Sequence, residues 1–205
     1  MKDLYLYPGS DVLINKLDIH DQEELNKAEA DYVSYRLKQL ALDGLSGKYD
    51  YKHLLKMHWF IFQDIYEWAG QQRKLNIYKE EPILGGLSVD YADVFDIARD
   101  ATKILNEMNS IHWESLSTEE KGIQFTDCLA KLWKVHCFRE GNTRTVITFC
   151  CQFADEHGFP INRNLFEENS VYVRTALVAY NAVFSDLGDL SQKNHLQKIV
   201  LDAIS

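Results

Sequence analysis

A chain of 205 residues, 46% hydrophobic and 12% aromatic, holds enough apolar material for one well-packed domain and is too short for two independent ones. Its formal net charge of -9 sets the surface against phosphate backbones and excludes nucleic acid as a partner, although a nucleotide needs only a local nest of N–H groups and one or two cations. No run of about 18 apolar residues is present and Met1-Lys2-Asp3-Leu4-Tyr5 lacks the features of a signal peptide, so no membrane partner and a cytoplasmic setting are expected.

In chain order, Asp21-Gln22-Glu23-Glu24 has the form of a capping box, and Leu25, Ala28, Tyr32 and Tyr35 follow at helical spacing. A second helix is predicted from about Tyr51 to Ala69, with Leu54, His58, Ile61, Ile65 and Trp68 on one face and Gly70 as its stop. His58 on that stripe reads as a core histidine. Between Gln71 and Asp90 the period changes: Leu75-Asn76-Ile77-Tyr78 alternates, Pro82 breaks, and Ile83-Leu84-Gly85-Gly86 resumes, which predicts a short hairpin or extended flap over about 75–88. Asp90 is a candidate cap for a helix carrying Val94, Ala98, Ala101, Leu105 and Met108. Ser117-Thr118-Glu119-Glu120 is a stronger capping box ahead of Phe125, Leu129, Leu132 and Val135. Asn142 is read as the cap of a helix ending near Gly158 and Pro160, and another helix runs from near Asn169 through Phe184 until Gly188 closes it. A short helix follows from Asn194. The four cysteines show no C-x-x-C spacing and read as reduced, buried thiols. The sum is an all-α single domain over 1–205, with a core at about 50–186 and one small β-hairpin flap.

The chemistry gathers in His136-Cys137-Phe138-Arg139-Glu140-Gly141-Asn142-Thr143-Arg144, a loop leading into a helix N-terminus. The first N–H groups of a helix lack partners and sit at the positive end of its dipole, so they form an anion site that Gly141 lets a phosphate approach. Arg144, one turn into the helix, reaches a second phosphate. Glu140 is a carboxylate beside phosphates, the setting magnesium prefers. His136 is the side chain here whose ordinary pKa suits a general base. Phe138 is read as pointing inward to pin the loop. Each of these residues alone has an ordinary structural role; together in so short a stretch they point to phosphate chemistry.

The stretch resembles the Fic/Doc family motif H-x-F-x-[D/E]-G-N-G-R-x-x-R through His136, Phe138, Glu140, Gly141, Asn142 and Arg144. Further resemblance lies in Tyr7-Pro8-Gly9-Ser10-Asp11-Val12-Leu13, in Phe62 to Gly70 with Arg73, and in the flap segment Asn76-Ile77-Tyr78-Lys79, so it covers nearly the whole chain. It implies the Fic fold and a protein adenylyltransferase that moves AMP from Mg-ATP to a hydroxyl of a target protein. In that reading His136 is the catalytic base and Glu140 the Mg²⁺ ligand. Phe138, Gly141, Asn142, Thr143 and Arg144 form the nucleotide site, with Arg144 on the β-phosphate. Ile77, Lys79 and Leu84 belong to a flap that clamps the protein substrate by strand-like pairing.

Three positions depart from the motif. Cys137 replaces the usual Pro and Thr143 the usual Gly, and neither removes chemistry. Ile147 stands where the family's second arginine orients the γ-phosphate and pairs with an inhibitory glutamate, which leaves the donor open. The inhibitory pattern [S/T]-x-x-x-E-[G/N] has no match, so inhibition falls to a separate small antitoxin protein, which the opening segment favours, or is absent. The alternatives are a Doc-like phosphoryl transfer, another pyrophosphate-linked donor such as UTP, GTP or a choline nucleotide, and a non-catalytic binding module.

Overall fold

The computed structural model describes residues 3–204. Among them, eight α-helices and one antiparallel hairpin follow in order: α1 (Gln22–Asp43), α2 (Tyr51–Phe62), α3 (Ile97–Ser110), α4 (Thr118–Val135), α5 (Asn142–Glu156), α6 (Arg163–Glu168), α7 (Ser170–Tyr180), β1 (Val183–Phe184), β2 (Gly188–Asp189) and α8 (Asn194–Ile204). The helical class and the small hairpin agree with the sequence reading. The hairpin's location does not.

Helix starts follow local chemistry. The Asp21 carboxylate accepts the Glu24 N–H at 2.9 Å, and Asp50 accepts that of His53 at 2.8 Å. At α4 the reciprocal box is complete: Glu120 N–H reaches Ser117 Oγ at 3.3 Å, and Ser117 N–H reaches Glu120 Oε2 at 2.9 Å. Each such cap contributes about 1 kcal/mol. Asp90 caps nothing. The chain turns instead at Asp93, whose carboxylate accepts the Phe95 N–H at 3.0 Å and the Asn76 amide at 2.8 Å, and α3 begins only at Ile97.

Two helices end earlier than their periodicity predicts. α2 stops at Phe62, because Ile65 gives its carbonyl to Lys16 N–H (2.8 Å) and the Gly70 N–H goes to His58 Nδ1 (2.8 Å). α7 stops at Tyr180, where the Asn181 amide donates to Ala130 O at 3.1 Å and Leu177 O at 3.0 Å. The chain then forms the hairpin, pairing Val183 with Asp189 and Phe184 with Gly188. The flap over 75–88 has no strand ladder, and two of its backbone groups go to side chains: Leu75 O to Arg73, and Lys79 N–H to Ser88 Oγ. Its tip is a single 3-10 turn, Pro82–Leu84, closed by Glu81 N–H to Leu87 O at 3.1 Å. Pro82, lacking an N–H, suits a turn start and not a ladder.

The core is built around α4, whose Phe125, Leu129, Leu132 and Trp133 are fully buried and which packs against α3, α5, α7 and α8. α2 lies between α1 and α5. The four cysteines are free and buried, and burial pushes the thiols of Cys128, Cys137 and Cys151 up to about 12, so they act as inert apolar side chains. No helix among the described residues is long and apolar enough to cross a membrane. This packing leaves the α4–α5 loop, residues 136–141, held between α2 and the flap.

Candidate active site

His136 ends α4 in the left-handed region, at φ 52° and ψ 60°, a conformation that a non-glycine residue keeps only when its surroundings hold it. Arg73 supplies that hold. Its buried guanidinium donates from Nε to His136 O at 2.8 Å and from Nη1 to Leu75 O at 2.7 Å, and reaches Ala92 O through Nη2. Its backbone N–H meets Cys137 O at 2.9 Å. One buried cation thereby ties the loop to the root of the flap.

The His136 imidazole is buried, with Tyr91 at 4.1 Å between ring centroids and the edge of Trp133 at 5.3 Å. Neither ring nitrogen has a hydrogen-bond partner among the described residues. Burial first, then the charges of Lys79, Arg73 and Arg174, pushes its pKa well below 6.5. The ring is therefore neutral near pH 7, with one nitrogen able to accept a proton.

The loop closes on itself through Asn142, whose amide donates to Phe138 O at 2.7 Å and accepts the Phe138 N–H at 2.9 Å. That corrects the reading of Asn142 as a side-chain cap: Gly141, at φ 79°, occupies the cap position, and α5 begins with the Asn142 amide. Phe138 has no exposed surface; its ring stacks on His58 at 3.8 Å, so its side chain shapes the loop instead of lining a nucleotide site. His58 is indeed a core residue, but a connecting one. It accepts the Gly70 N–H at Nδ1, which assigns the proton to Nε2, 3.1 Å from Glu140 O, and burial lowers its pKa to about 3. Gly141 is required twice over. Its positive φ disfavours other residues, and a Cβ there would lie 2.3 Å from Phe62 Cζ.

The turn expected to form an anion site is the first of α5, where the amides of Asn142, Thr143 and Arg144 precede the first helical bond, Thr145 N–H to Gly141 O at 3.0 Å. The Thr143 hydroxyl accepts from Trp133 Nε1 at 2.9 Å and keeps its own hydrogen to donate. Arg144 Nη2 donates to Glu29 Oε1 on α1 at 2.6 Å and lies 4.0 Å from Glu140 Oε1. Glu140 Oε1 accepts the Gly141 N–H at 2.9 Å, and its Oε2 is 3.4 Å from Lys79 Nζ. Burial acts to raise the Glu140 pKa, but Lys79, the Gly141 N–H and Arg144 outweigh it and hold the carboxyl below its ordinary value. No cluster of three or more His, Cys, Asp or Glu among the described residues could hold a metal without other ligands. One ionised carboxylate beside helix amides fits a magnesium ion that takes its remaining ligands from phosphates and water.

The flap residues divide. Ile77 and Lys79 line an open groove of about 670 Å³ together with Tyr78, Phe95 and Arg139, whereas Leu84 faces Ala179, Phe184 and Leu190 on the other side. Glu81, buried at the turn, is clasped by Arg174 of α7 with both N–H···O distances 2.8 Å. Ile147 lies in a small pocket of about 130 Å³ with Leu37, Ala41, Cys151 and Phe166, whose lining also includes Arg144, Arg163 and Glu167. Glu29, Tyr91 and Arg174 reach the site through tertiary contacts, and no local pattern in the sequence marks them; Arg73 is marked by the resemblance alone, without a role.

Comparison with known proteins bears on family and fold. The Fic/DOC family profile matches residues 48–154. The protein adenylyltransferase VbhT of Bartonella schoenbuchensis is 31% identical over 179 residues, covering 87% of this chain, which spans 36% of VbhT. The "Probable protein adenylyltransferase y4lH" of Sinorhizobium fredii is 31% identical over 171 residues, 82% of this chain and 83% of that protein. Among solved structures, the N-terminal FIC domain of Bep8 from Bartonella sp. 1-1C superposes with a TM-score of 0.81 at 22% identity, covering 98% of this chain and 94% of that one. BepC from Bartonella tribocorum, with bound AMPPNP, gives 0.80 at 20% identity over 97% and 95% of the two chains. Family profile, overall fold and the constellation from His136 to Arg144 converge: the chain belongs to the Fic/DOC family.

Proposed function

We propose that this protein is an adenylyltransferase that transfers AMP from ATP to a hydroxyl group of a protein substrate. The observation that carries the reading is the His136 ring, neutral and buried with both nitrogens unpaired. A buried polar atom without a partner costs about 1–3 kcal/mol, so each such group calls for an explanation, and a catalytic role is one. A His136 nitrogen takes the target hydroxyl's proton as the oxygen bonds to the α-phosphorus. The bond from that phosphorus to the bridging oxygen breaks, and its electron pair leaves with pyrophosphate.

The α5 amides meet the charge on the phosphoryl oxygens, already oriented before reaction, and Arg144 meets the β-phosphate. Glu140 would hold a magnesium ion, which when bound neutralises phosphate charge. The groove beside Ile77 and Lys79 gives the target segment an extended backbone to pair with, and Leu84, turned away from it, braces the flap. VbhT, named as a protein adenylyltransferase, and BepC, crystallised with AMPPNP, support the activity and the donor class. Regulation by a separate small protein belongs to the same reading, because Ile147 offers no cation to an inhibitory glutamate.

Ile147, where the family motif carries a second arginine, leaves room for a second donor class, pyrophosphate-linked nucleotides whose distal group is not a γ-phosphate. Incubation with Mg²⁺ and ATP labelled at the α- or the γ-phosphate separates the readings. Label transferred from the α-position, lost in His136→Ala without loss of fold, is the expected result. Label from γ alone would make the protein a kinase, and none from either would move the reading to another donor.

A further inference from the structure

Arg144 is presented to the phosphate site by groups outside the motif. Glu29 on α1 accepts from its Nη2 at 2.6 Å, and the Phe62 ring lies 4.9 Å from its Cζ. Glu29 is itself pinned: its other oxygen accepts from the Tyr66 hydroxyl, and the Tyr66 ring stacks on Trp68 at 4.3 Å. Tyr66 is almost completely buried, and the Glu29 side chain is only 14% exposed. A long cationic side chain ordinarily loses much rotamer freedom when it engages a ligand, and a planar guanidinium engages well only from the right direction. Here an aromatic face and a doubly bonded carboxylate have fixed that direction in advance. Both carboxylates near Arg144 are met through Nη2, which leaves the Nε and Nη1 hydrogens for an oxyanion.

We propose that Glu29 and Tyr66 are positioning residues, which orient Arg144 toward the pyrophosphate part of the nucleotide donor. The inference rests on the nucleotide-transfer reading above and adds α1 to the machinery of that site. Both residues act through Arg144, so their removal should matter only for ligands that Arg144 touches.

The test is direct binding of Mg·ATP and of AMP by titration calorimetry to wild type, Glu29→Gln, Arg144→Ala, the double variant and Tyr66→Phe. Loss of one charge-assisted contact predicts that Glu29→Gln weakens ATP about tenfold. AMP, which lacks the β-phosphate, should bind as before, and Glu29→Gln should cost nothing further once Arg144 is alanine. Tyr66→Phe should show the same pattern at smaller size, and it keeps the proposal testable if Glu29→Gln fails to fold. Equal losses for ATP and AMP, or losses that add to that of Arg144→Ala, would reduce the pair to a structural role and overturn the proposal. Tighter ATP binding by Glu29→Gln would overturn it in the other direction, making Glu29 a restraint. Folded wild type that binds neither nucleotide would remove the parent reading and this one together; wild-type binding with unchanged variants removes this one alone.

Discussion

An imidazole in water would be half-protonated near pH 6.5, and a base in that state is half-disabled. At His136, burial and the nearby cations Lys79, Arg73 and Arg174 oppose the added charge, so protonation waits for a lower pH. The free-enzyme base must be neutral to act. The acidic limb of kcat/KM for AMP transfer is accordingly expected well below 6.5, with the rate flat between about pH 8 and 6.5. Initial rates across that range check it, and a limb centred at 6.5 or higher would contradict the burial of the ring. At this scale the motif residues were legible because phosphate chemistry needs them close together in the chain. Phe138 was legible as the side chain that points inward and pins the loop, which its stacking on His58 bears out; Asn142 was misjudged as a side-chain cap, since only the folded loop reveals that it bonds back to Phe138. Glu29 carries no local signature, because its partners come from distant elements, and Arg73, marked only by the resemblance, gave no sign of its bond to His136.

Among elements, the turn of the flap is clasped to α7 by one ion pair. The Glu81 carboxylate is 2% exposed and bonded on both oxygens to Arg174, which itself remains partly solvated. Removing the cation strands a buried charge, an effect of about 3–5 kcal/mol that the chain can relieve by letting the flap swing into water. Arg174→Ala is therefore expected to speed amide hydrogen exchange over 77–88 and tryptic cleavage at Lys79, with little change in exchange along α4. Unaltered exchange in the flap would mean that Ser88 and the Glu81–Leu87 turn hold it without help. Helix starts were legible at Asp21 and Ser117, where a side chain caps its own neighbours. The end of α5 near Gly158 was legible, that of α2 was not: Ile65 and Trp68 continue the apolar spacing of α2, yet bonds of Ile65 to Lys16 and of Gly70 to His58 pull that stretch into turns. The alternating flap sequence likewise announced extended backbone correctly and strand pairing wrongly, and Arg73 and Ser88 take two of its polar groups.

Across the whole molecule, three histidines are buried in neutral form. Burial depresses His53, takes His58 to about 3 and holds His136 well below 6.5. The unfolded chain binds protons at these rings below about pH 6.5 while the folded chain does not, so their contribution is present above that value and fades as pH falls toward the folded pKa values. Each ring adds a slope of about 1.4 kcal/mol per pH unit through that window. Urea unfolding at pH 7, 6 and 5 is expected to show a falling midpoint, progressively steeper toward acid. A stability that is level or rising over that interval would show that the rings protonate in place. The helical class could be read from apolar spacing and scarce proline, since both express burial along one face of each helix. The order in which helices close around α4 depends on contacts between distant segments, which no periodicity records.

Phe62 lies under both Gly141 and Arg144, close enough that the glycine has no room for a side chain and the guanidinium rests on the ring. For protein engineering this makes the motif loop non-portable. A graft of residues 136–144 onto another helical scaffold would arrive without its floor, and its glycine would be free to carry any neighbour while its arginine wandered. A transplantable unit needs at least the C-terminal half of α2 with the loop, together with the Arg73 that holds His136 and the Glu29 that holds Arg144.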